Sequence, residues 1–494
     1  MRLSHKVGKN TLLLSVGYLL GRLLAFLVFR RLTHLEGTEG AGVWGVAVEL
    51  TGILVVVAGF GLDSLITREI IKTPGQRASL FFASLRLRLM TGALGYLGLL
   101  VFVHFAGYDS LTQKAVLIMA LGVFLEIWAM AADSVFQARE KVQLQTMSQI
   151  LAALLYFSLA WFWLDQGWGL MGIVWASLAS RGLRLGVVLV LVFPLLRSPQ
   201  STPKAPSVSL RWLARLALPV FIASTIGILA FKIDTIMVMS FLGKAETGVY
   251  TAGRRLLDLT ILVPHLFALA VFPSLQRRRQ EAGPNLDSLQ PMAVKTLRWV
   301  LLAAIPLAAG AILAAEPMIH LLISGQGFAE SIPVLRIVML GLPLISASFV
   351  GNRLLLTLGA ESRLVWISSA ALLVNVGLNI ALLPILGARG AAISSVLSLL
   401  AAWLVYWRVL TLAGLHLQFI RSMLLALVAT LCSWLPAMLI LRSIFPQWGL
   451  QWYCAPANNL VALGWTALLV GLFYGVFIFF FGGFRHRDQK IQSG

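Results

Sequence analysis

The chain has 494 residues, of which 59% are hydrophobic and only 12% are charged. Soluble globular proteins carry about 25% charged residues, so the composition excludes that class. Apolar segments of about 20 residues, the length that a helix needs to cross a bilayer, follow one another along the sequence. No gap between them is long enough for a soluble domain. The sequence therefore predicts an all-α polytopic membrane protein.

The net charge of +20 would suggest nucleic-acid binding in a soluble protein. Here much of the excess lies in alternate short loops, for example at 68–77, 139–141 and 277–279. That alternation is the pattern of the positive-inside rule, and it predicts that both termini are cytoplasmic. We therefore expect no nucleic-acid partner.

The apolar runs predict about fourteen helices in chain order. They lie near 11–32, 43–66, 80–105, 115–137, 145–164, 169–195, 213–241, 248–273, 294–314, 331–357, 364–386, 388–412, 419–442 and 458–482. We interpret 1–197 as an N-terminal six-helix lobe and 213–413 as a C-terminal one, joined by a cytoplasmic linker at 198–212. Residues 414–494 would add two accessory transmembrane helices and a cytoplasmic tail.

An internal repeat relates the two lobes. Gly42-Val43-Trp44 begins the second predicted helix and Gly248-Val249-Tyr250 the eighth, each after a long apolar helix and a short acidic loop. At the sixth helix of each lobe, GLMGIVWAS (169–177) matches GARGAAISS (387–395). Two repeats of the same orientation predict pseudo-symmetric lobes around a central cavity, related by an axis along the membrane normal.

The eighth predicted helix carries a polar stripe. Tyr250, Arg254 and Asp258 recur every four residues, a spacing that places them on one helix face. We interpret the stripe as a ligand-binding wall; the alternative is an Arg254–Asp258 pair that merely neutralises itself. Arg255 has no acidic partner on its own face, which favours the first interpretation. Pro264, in the middle of the helix, should kink it.

The seventh predicted helix carries Lys232 and Asp234, which lie two residues apart and therefore on different faces. They cannot simply pair with each other. We expect Asp234 to pair with Arg254 or Arg255, because an unpaired buried carboxylate would be protonated. Asp234 is either a proton or cation site or one half of a structural ion pair.

Arginines also lie inside the helices of the first lobe. Arg22, Arg181 and Arg184 are central in their helices and are predicted to line the cavity, because a charge at the centre of a membrane helix costs roughly 2.5–3.5 kcal/mol. Arg86 and Arg88 lie nearer a helix end and are predicted to be interfacial. The carboxylates available to balance these charges are Glu49, Glu126 and Asp133.

Three segments resemble the Wzx-type oligosaccharide and polysaccharide flippases of the multidrug/oligosaccharidyl-lipid/polysaccharide (MOP) exporter superfamily. They are GLDSLITRE (61–69), FKIDTIMVMSFLGKAETGVYTAGRRL (231–256) and NVGLNIALLPILGARGAAISS (375–395). Within the last segment, we expect Asn375 and Asn379 to pack helices rather than to bind ligand. The sequence departs from the family pattern at 31–37, where the family has a compact Arg-x-Leu-Gly turn.

The excess of arginine over carboxylate predicts an anionic headgroup, because the guanidinium fork suits phosphate and stays charged. The resemblance implies a polyprenyl-diphosphate-linked oligosaccharide, moved from the inner to the outer leaflet of the cytoplasmic (inner) membrane by alternating access. Expected partners are membrane lipids, and glycosyltransferases and a polymerase of the same pathway. Predicted substrate-binding residues are Arg22, Arg181, Arg184, Tyr250, Arg254 and Arg255, and charge-coupling candidates are Glu49, Lys232, Asp234 and Asp258. No catalytic residue, metal or cofactor is predicted.

Other functions remain open on the sequence. A flippase of the peptidoglycan lipid precursor would have the same fold, whereas a multidrug antiporter would favour an acidic cavity. A membrane glycosyltransferase or polymerase would need a sizeable extramembrane loop, which the sequence lacks. No Walker-type loop occurs, so proton, sodium or membrane-potential coupling is expected rather than ATP. Cys432 and Cys454 have no metal-binding or redox spacing, and could form a disulfide only if both reach the outer face.

Overall fold

The computed structural model describes residues 2–196, 208–282, 286, 289–323, 325–360 and 362–444. Within them every regular element is a helix, which confirms the all-α class. In this part of the chain, ten helices are long and apolar enough to cross a membrane, by length and composition, and Phe419–Trp434 is a shorter apolar helix. The predicted helix at 458–482, Cys454 and most of the predicted linker lie outside the described residues.

The helices follow one another along the chain with short connections. They are α1 (Arg2–Gly59), α2 (Leu62–Lys72), α3 (Arg77–Phe105), α4 (Ser110–Ala138), α5 (Val142–Asp165), α6 (Gly169–Leu196), α7 (Leu210–Leu242), α8 (Lys244–Thr260), α9 (Leu262–Ala282), α10 (Leu289–Leu313), α11 (Ala315–Leu322), α12 (Ser331–Leu340), α13 (Leu342–Thr357), α14 (Ser362–Leu386), α15 (Ala388–Leu412) and α16 (Phe419–Ile444).

The long α1 consists of two arms that meet at a backbone kink. At Gly37 φ is 63° and ψ is −148°, a conformation that favours glycine and breaks the helix. The arms correspond to the first two predicted helices. The second predicted helix does not run to residue 66, because Phe60 and Gly61 both have positive φ and separate α1 from α2.

The predicted kink near Pro264 is confirmed as an interruption. The helix is broken at Ile261, between α8 and α9, three residues before the proline. Pro264 has no N–H to donate to the carbonyl four residues earlier, and its ring clashes with that carbonyl. The predicted helix at 331–357 is also two helices, α12 and α13, which are separated at Gly341.

The described chain divides into two compact units. The first holds described residues within 1–251, 324–327 and 364–394, and the second holds the remainder. In the first unit α1 packs against α3, α4, α5 and α7, while α6 packs against α4 and α5. In the second, α10 packs against α9, α12, α13 and α16. The lobes predicted at 1–197 and 213–413 stay a prediction.

Candidate functional site

Two copies of the sequence repeat meet backbone to backbone inside the first unit. The second arm of α1 carries Gly42, and the first turn of α8 carries Gly248. A Cβ at Gly42 would collide with the carbonyl of Lys244, and a Cβ at Gly248 would collide with the carbonyl of Thr38. Each carbonyl belongs to the residue four positions before the opposite glycine. The contact is therefore reciprocal, and the repeat found in the sequence is also a repeat in the structure.

The same crossing continues one turn further along both helices. A Cβ built at Gly45 would lie 3.2 Å from the Cβ of Thr251, and these residues each follow their crossing glycine by three positions. Small residues allow helix backbones in a membrane to approach this closely. We call this contact of Gly42, Gly45, Gly248 and Thr251 the glycine crossing.

Two glutamates mark the repeat at a second place. Glu36 Oε1 accepts a hydrogen bond from the backbone N–H of Leu170 (2.6 Å) at the start of α6. Glu246 Oε2 accepts one from the backbone N–H of Ala388 (3.1 Å) at the start of α15. A carboxylate at a helix N-terminus satisfies a free N–H and interacts favourably with the helix dipole. The sequence analysis predicted neither cap. The signal that could have found them is the short acidic loop that precedes each copy of the repeat.

An ion pair between loops lies beside the glycine crossing. Lys244 Nζ contacts Asp109 Oδ2 at 2.9 Å, joining the α7–α8 turn to the α3–α4 turn. Burial raises the pKa of Asp109, but hydrogen bonds from Thr112 and Lys244 outweigh it and lower the pKa overall. The carboxylate is therefore held in its charged form.

The central arginine pair of α6 lies against acidic residues of α4. Arg184 is buried and donates hydrogen bonds to Glu126 and to Asp133 Oδ2, the latter at 2.6 Å. This confirms two of the carboxylates predicted to balance the arginines. Arg181, one turn earlier, interacts electrostatically with the same Glu126. These four residues form what we call the α4–α6 ion cluster, with two positive and two negative charges.

Arg181 differs from Arg184 in how its donors are used. A Cβ built at Gly122 of α4 would lie 2.9 Å from Arg181 Cδ, so this glycine makes room for the arginine side chain. The Nη1 atom of Arg181 is buried and has no hydrogen-bond partner among the described residues. Arg184 also keeps a buried Nε atom without a partner among the described residues, so each guanidinium of the cluster still has a donor to offer.

Arg88 of α3 is buried inside the protein, and its predicted place at the membrane interface stays a prediction. Its side chain is fully buried, and Nη2 donates to Asp63 Oδ1 at 2.7 Å. Asp63 lies in the first turn of α2, and Ser134 Oγ of α4 donates to its carbonyl at 3.3 Å. The break before α2 brings this carboxylate against α3, which a continuous predicted helix could not show.

The two charges of α7 point to different partners, as predicted from their spacing. Lys232 pairs with Glu49 of α1. Asp234 is 1% exposed, and its Oδ1 accepts hydrogen bonds from the Nδ2 atoms of Asn375 and Asn379, both at 2.8 Å. The asparagines therefore join α14 to α7, which confirms their predicted role in packing.

The remaining predicted site residues are distributed over both units. Arg22 is partly buried on the first arm of α1, and Tyr250 is fully buried at the end of the first unit. Arg254 is buried in the second unit, where Arg255 and Asp258 are partly buried. The pairing of Asp234 with Arg254 or Arg255, and a cavity shared by all the arginines, stay predictions.

The fold is that of a polytopic membrane protein, and the flippases that the chain resembles support a transporter rather than an enzyme. A family model described as "Polysaccharide biosynthesis protein" matches residues 7–277, more than half of the chain. The chain therefore belongs to this family of polysaccharide flippases in the MOP superfamily. A second model, MatE, matches residues 219–381.

Two curated proteins are similar in sequence. The "Probable low-salt glycan biosynthesis flippase Agl15" of Haloferax volcanii is 22% identical over 395 residues, which cover 79% of this chain and 81% of that one. The "Probable lipid II flippase MurJ" of Rhizobium meliloti is 29% identical over 251 residues, 49% of this chain but only 43% of that protein. A solved lipid II flippase MurJ in an inward closed conformation shares the fold, with a TM-score of 0.71 and 15% identity over 94% of this chain and 99% of that one.

Proposed function

We propose that the protein is a flippase that moves a polyprenyl-diphosphate-linked oligosaccharide from the inner to the outer leaflet of the cytoplasmic membrane. Membership of the polysaccharide biosynthesis family supports a flippase of a lipid-linked glycan or of lipid II. The similarity to Agl15 over about four fifths of both chains supports the glycan. Alternating access between the two repeats, with both termini cytoplasmic, is the proposed mechanism. Glycosyltransferases and a polymerase of the same pathway are the proposed partners.

The observation that carries this proposal is the buried Nη1 donor of Arg181, for which no described residue provides an acceptor. A charged group kept at this depth is costly unless it meets a partner, water or a polar ligand. A diphosphate offers several charged acceptors in the geometry that a guanidinium prefers. Both carboxylates of the α4–α6 ion cluster hydrogen-bond Arg184, so we assign Arg184 the task of positioning and Arg181 that of binding. The proposed binding site for the diphosphate-sugar also includes Arg22, Tyr250, Arg254 and Arg255.

Removing the guanidinium is expected to abolish glycan export. In a flippase-deficient strain, Arg181→Met and Arg255→Ala should each reduce export by about 30-fold or more, because truncating one member of a buried charged hydrogen bond costs about 2–5 kcal/mol. Arg181→Lys, which keeps the charge but loses the fork, should retain an intermediate level. Arg408→Ala removes an exposed arginine of α15 and should export normally. Normal export by Arg181→Met, with the protein present in the membrane, would refute the assignment.

We propose that a proton or cation gradient drives the cycle through the buried charges of α1, α7 and α8. Asp234 is the leading candidate, because its carboxylate is buried and held by two amide donors. The Glu49–Lys232 pair and Asp258 are further candidates. Binding or release of a proton or cation at Asp234 would change the hydrogen bonds that join α7 to α14.

Neutralising Asp234 is expected to uncouple transport from its gradient. In proteoliposomes carrying a proton or sodium gradient, Asp234→Asn should eliminate the stimulation that the gradient gives to the wild type, because the amide cannot bind a cation or proton as a carboxylate does. The control is Asp165→Asn, which removes a surface carboxylate paired with Arg31. Gradient stimulation that persists in Asp234→Asn would exclude this carboxylate as the coupling group.

A flippase of the peptidoglycan lipid precursor is the second candidate. It is favoured by the 29% identity to MurJ over half of this chain and by the TM-score of 0.71 to a solved MurJ. The same arginines would then bind the diphosphate of lipid II. Deletion separates the two, because loss of lipid II transport would stop growth, whereas loss of a surface glycan would leave viable cells without the polymer.

A further inference from the structure

A cationic cavity lies in the second unit, between the C-terminal half of α9 and the N-terminal half of α10. Its volume is about 960 Å³, which falls within the usual range for sites of small ligands. Its lining residues, within the part of the chain that the structure describes, come from these two helices. None of them belongs to the site proposed for the diphosphate-sugar.

One side of this cavity is basic and polar. Arg277 and Arg278 line it from α9, and Lys295 lines it from α10; all three are exposed to solvent. Two hydroxyls, of Ser274 and Thr296, lie among them, and none of the described residues that line the cavity is acidic. Such a set of donors fits a phosphate group.

The other side of the cavity is apolar. Val271 and Phe267 line it about two and three turns before the basic residues of α9, and Met292 and Trp299 line it from α10. The cavity therefore extends along α9 from its apolar part to the part that contains three consecutive arginines. In a membrane helix such a change of composition marks the boundary between hydrocarbon and headgroups.

We propose that this cavity binds an anionic phospholipid of the bilayer. The phosphodiester lies against Arg277, Arg278 and Lys295, and an acyl chain lies along Phe267 and Val271. Basic pockets between transmembrane helices bind anionic lipid headgroups in this way. A free phosphate ion would leave the apolar side unused. A diphosphate-sugar would find few hydroxyl partners here, since only Ser274 and Thr296 supply them.

The purified full-length protein can be titrated with phosphatidylglycerol and phosphatidylcholine, and the bound lipid can be counted by native mass spectrometry. We expect phosphatidylglycerol to bind and phosphatidylcholine to bind far more weakly. Arg277→Ala with Lys295→Ala should weaken phosphatidylglycerol binding on the order of 30-fold, from about fivefold per basic residue near the membrane surface. Arg408→Ala with Arg421→Ala, which removes two exposed arginines outside the cavity, should leave binding unchanged.

Three results would overturn the proposal. The first is equal binding of the two phospholipids, and the second is equal loss in the two double variants. The third is displacement of phosphatidylglycerol by inorganic phosphate at millimolar concentration or by polyprenyl diphosphate at equimolar concentration, which would assign the cavity to a free anion or to the transported substrate. Because lipid counting does not measure transport, its failure leaves the proposed flippase function to be judged by glycan export.

Discussion

Replacing Gly42 with valine is expected to abolish transport while leaving the protein in the membrane. The Cβ would enter the space of the Lys244 carbonyl, and a backbone atom of a packed helix cannot move aside as a flexible side chain can. Overpacking of a tight contact costs about 1–3 kcal/mol, so the closed glycine crossing should become about 5- to 150-fold less populated. Export of glycan in a flippase-deficient strain should fall by at least about tenfold.

The chain supplies a matched control for this change. A Cβ at Gly98 of α3 would meet no atom within 4 Å, so Gly98→Val makes the same chemical change in open space and should transport normally. The glycine crossing can be tested directly with cysteines introduced at positions 45 and 251, in a protein whose Cys432 and Cys454 are replaced by serine. The measurement is disulfide formation between the two introduced cysteines. The Cβ atoms at these positions are close enough for a disulfide, which should form in the wild-type background and fail in Gly42→Val. Normal export, or unchanged crosslinking, in Gly42→Val would show that the repeats need not meet here.

Much of this architecture could be predicted from local patterns. Hydropathy gave the helices because each span must satisfy its own backbone hydrogen bonds inside the bilayer. The spacing of Lys232 and Asp234 was enough to predict separate partners, which are Glu49 for the first and the two asparagines of α14 for the second. The repeat predicted two related lobes, but only the structure shows that its glycines Gly42 and Gly248 face each other.

The features that escaped prediction depend on residues far apart in sequence. The ion pair of Arg88 with Asp63 was not predicted, because hydropathy does not register that Asp63, 25 positions away, is placed against Arg88 by a break in the chain. Glu36 and Leu170 are 134 positions apart, and Glu246 and Ala388 are 142 apart, so neither helix cap has a local motif. Hydropathy also does not reveal a break within a membrane helix, because the residues on both sides of the break are apolar. Gly341 is such a point.

Replacing Arg184 with leucine is expected to destabilise the protein strongly. The change would leave Glu126 and Asp133 facing Arg181 alone, with two negative charges against one positive charge. Removing one member of a buried ion pair typically costs about 3–5 kcal/mol, because the other member keeps its desolvation penalty without its partner. Thermal unfolding in detergent should show a lower midpoint for Arg184→Leu than for the wild type.

A second substitution should restore most of this stability. Arg184→Leu with Asp133→Asn leaves Arg181 and Glu126 as one positive and one negative charge, so the desolvation penalty of the carboxylate that lost its partner is removed. An unfolding midpoint as low in the double variant as in Arg184→Leu would show that geometry, rather than charge balance, holds α4 to α6. If the folded double variant exports glycan and Arg181→Met does not, then Arg184 positions the cluster and Arg181 binds the cargo. A folded double variant without export would instead place Arg184 in direct contact with the diphosphate.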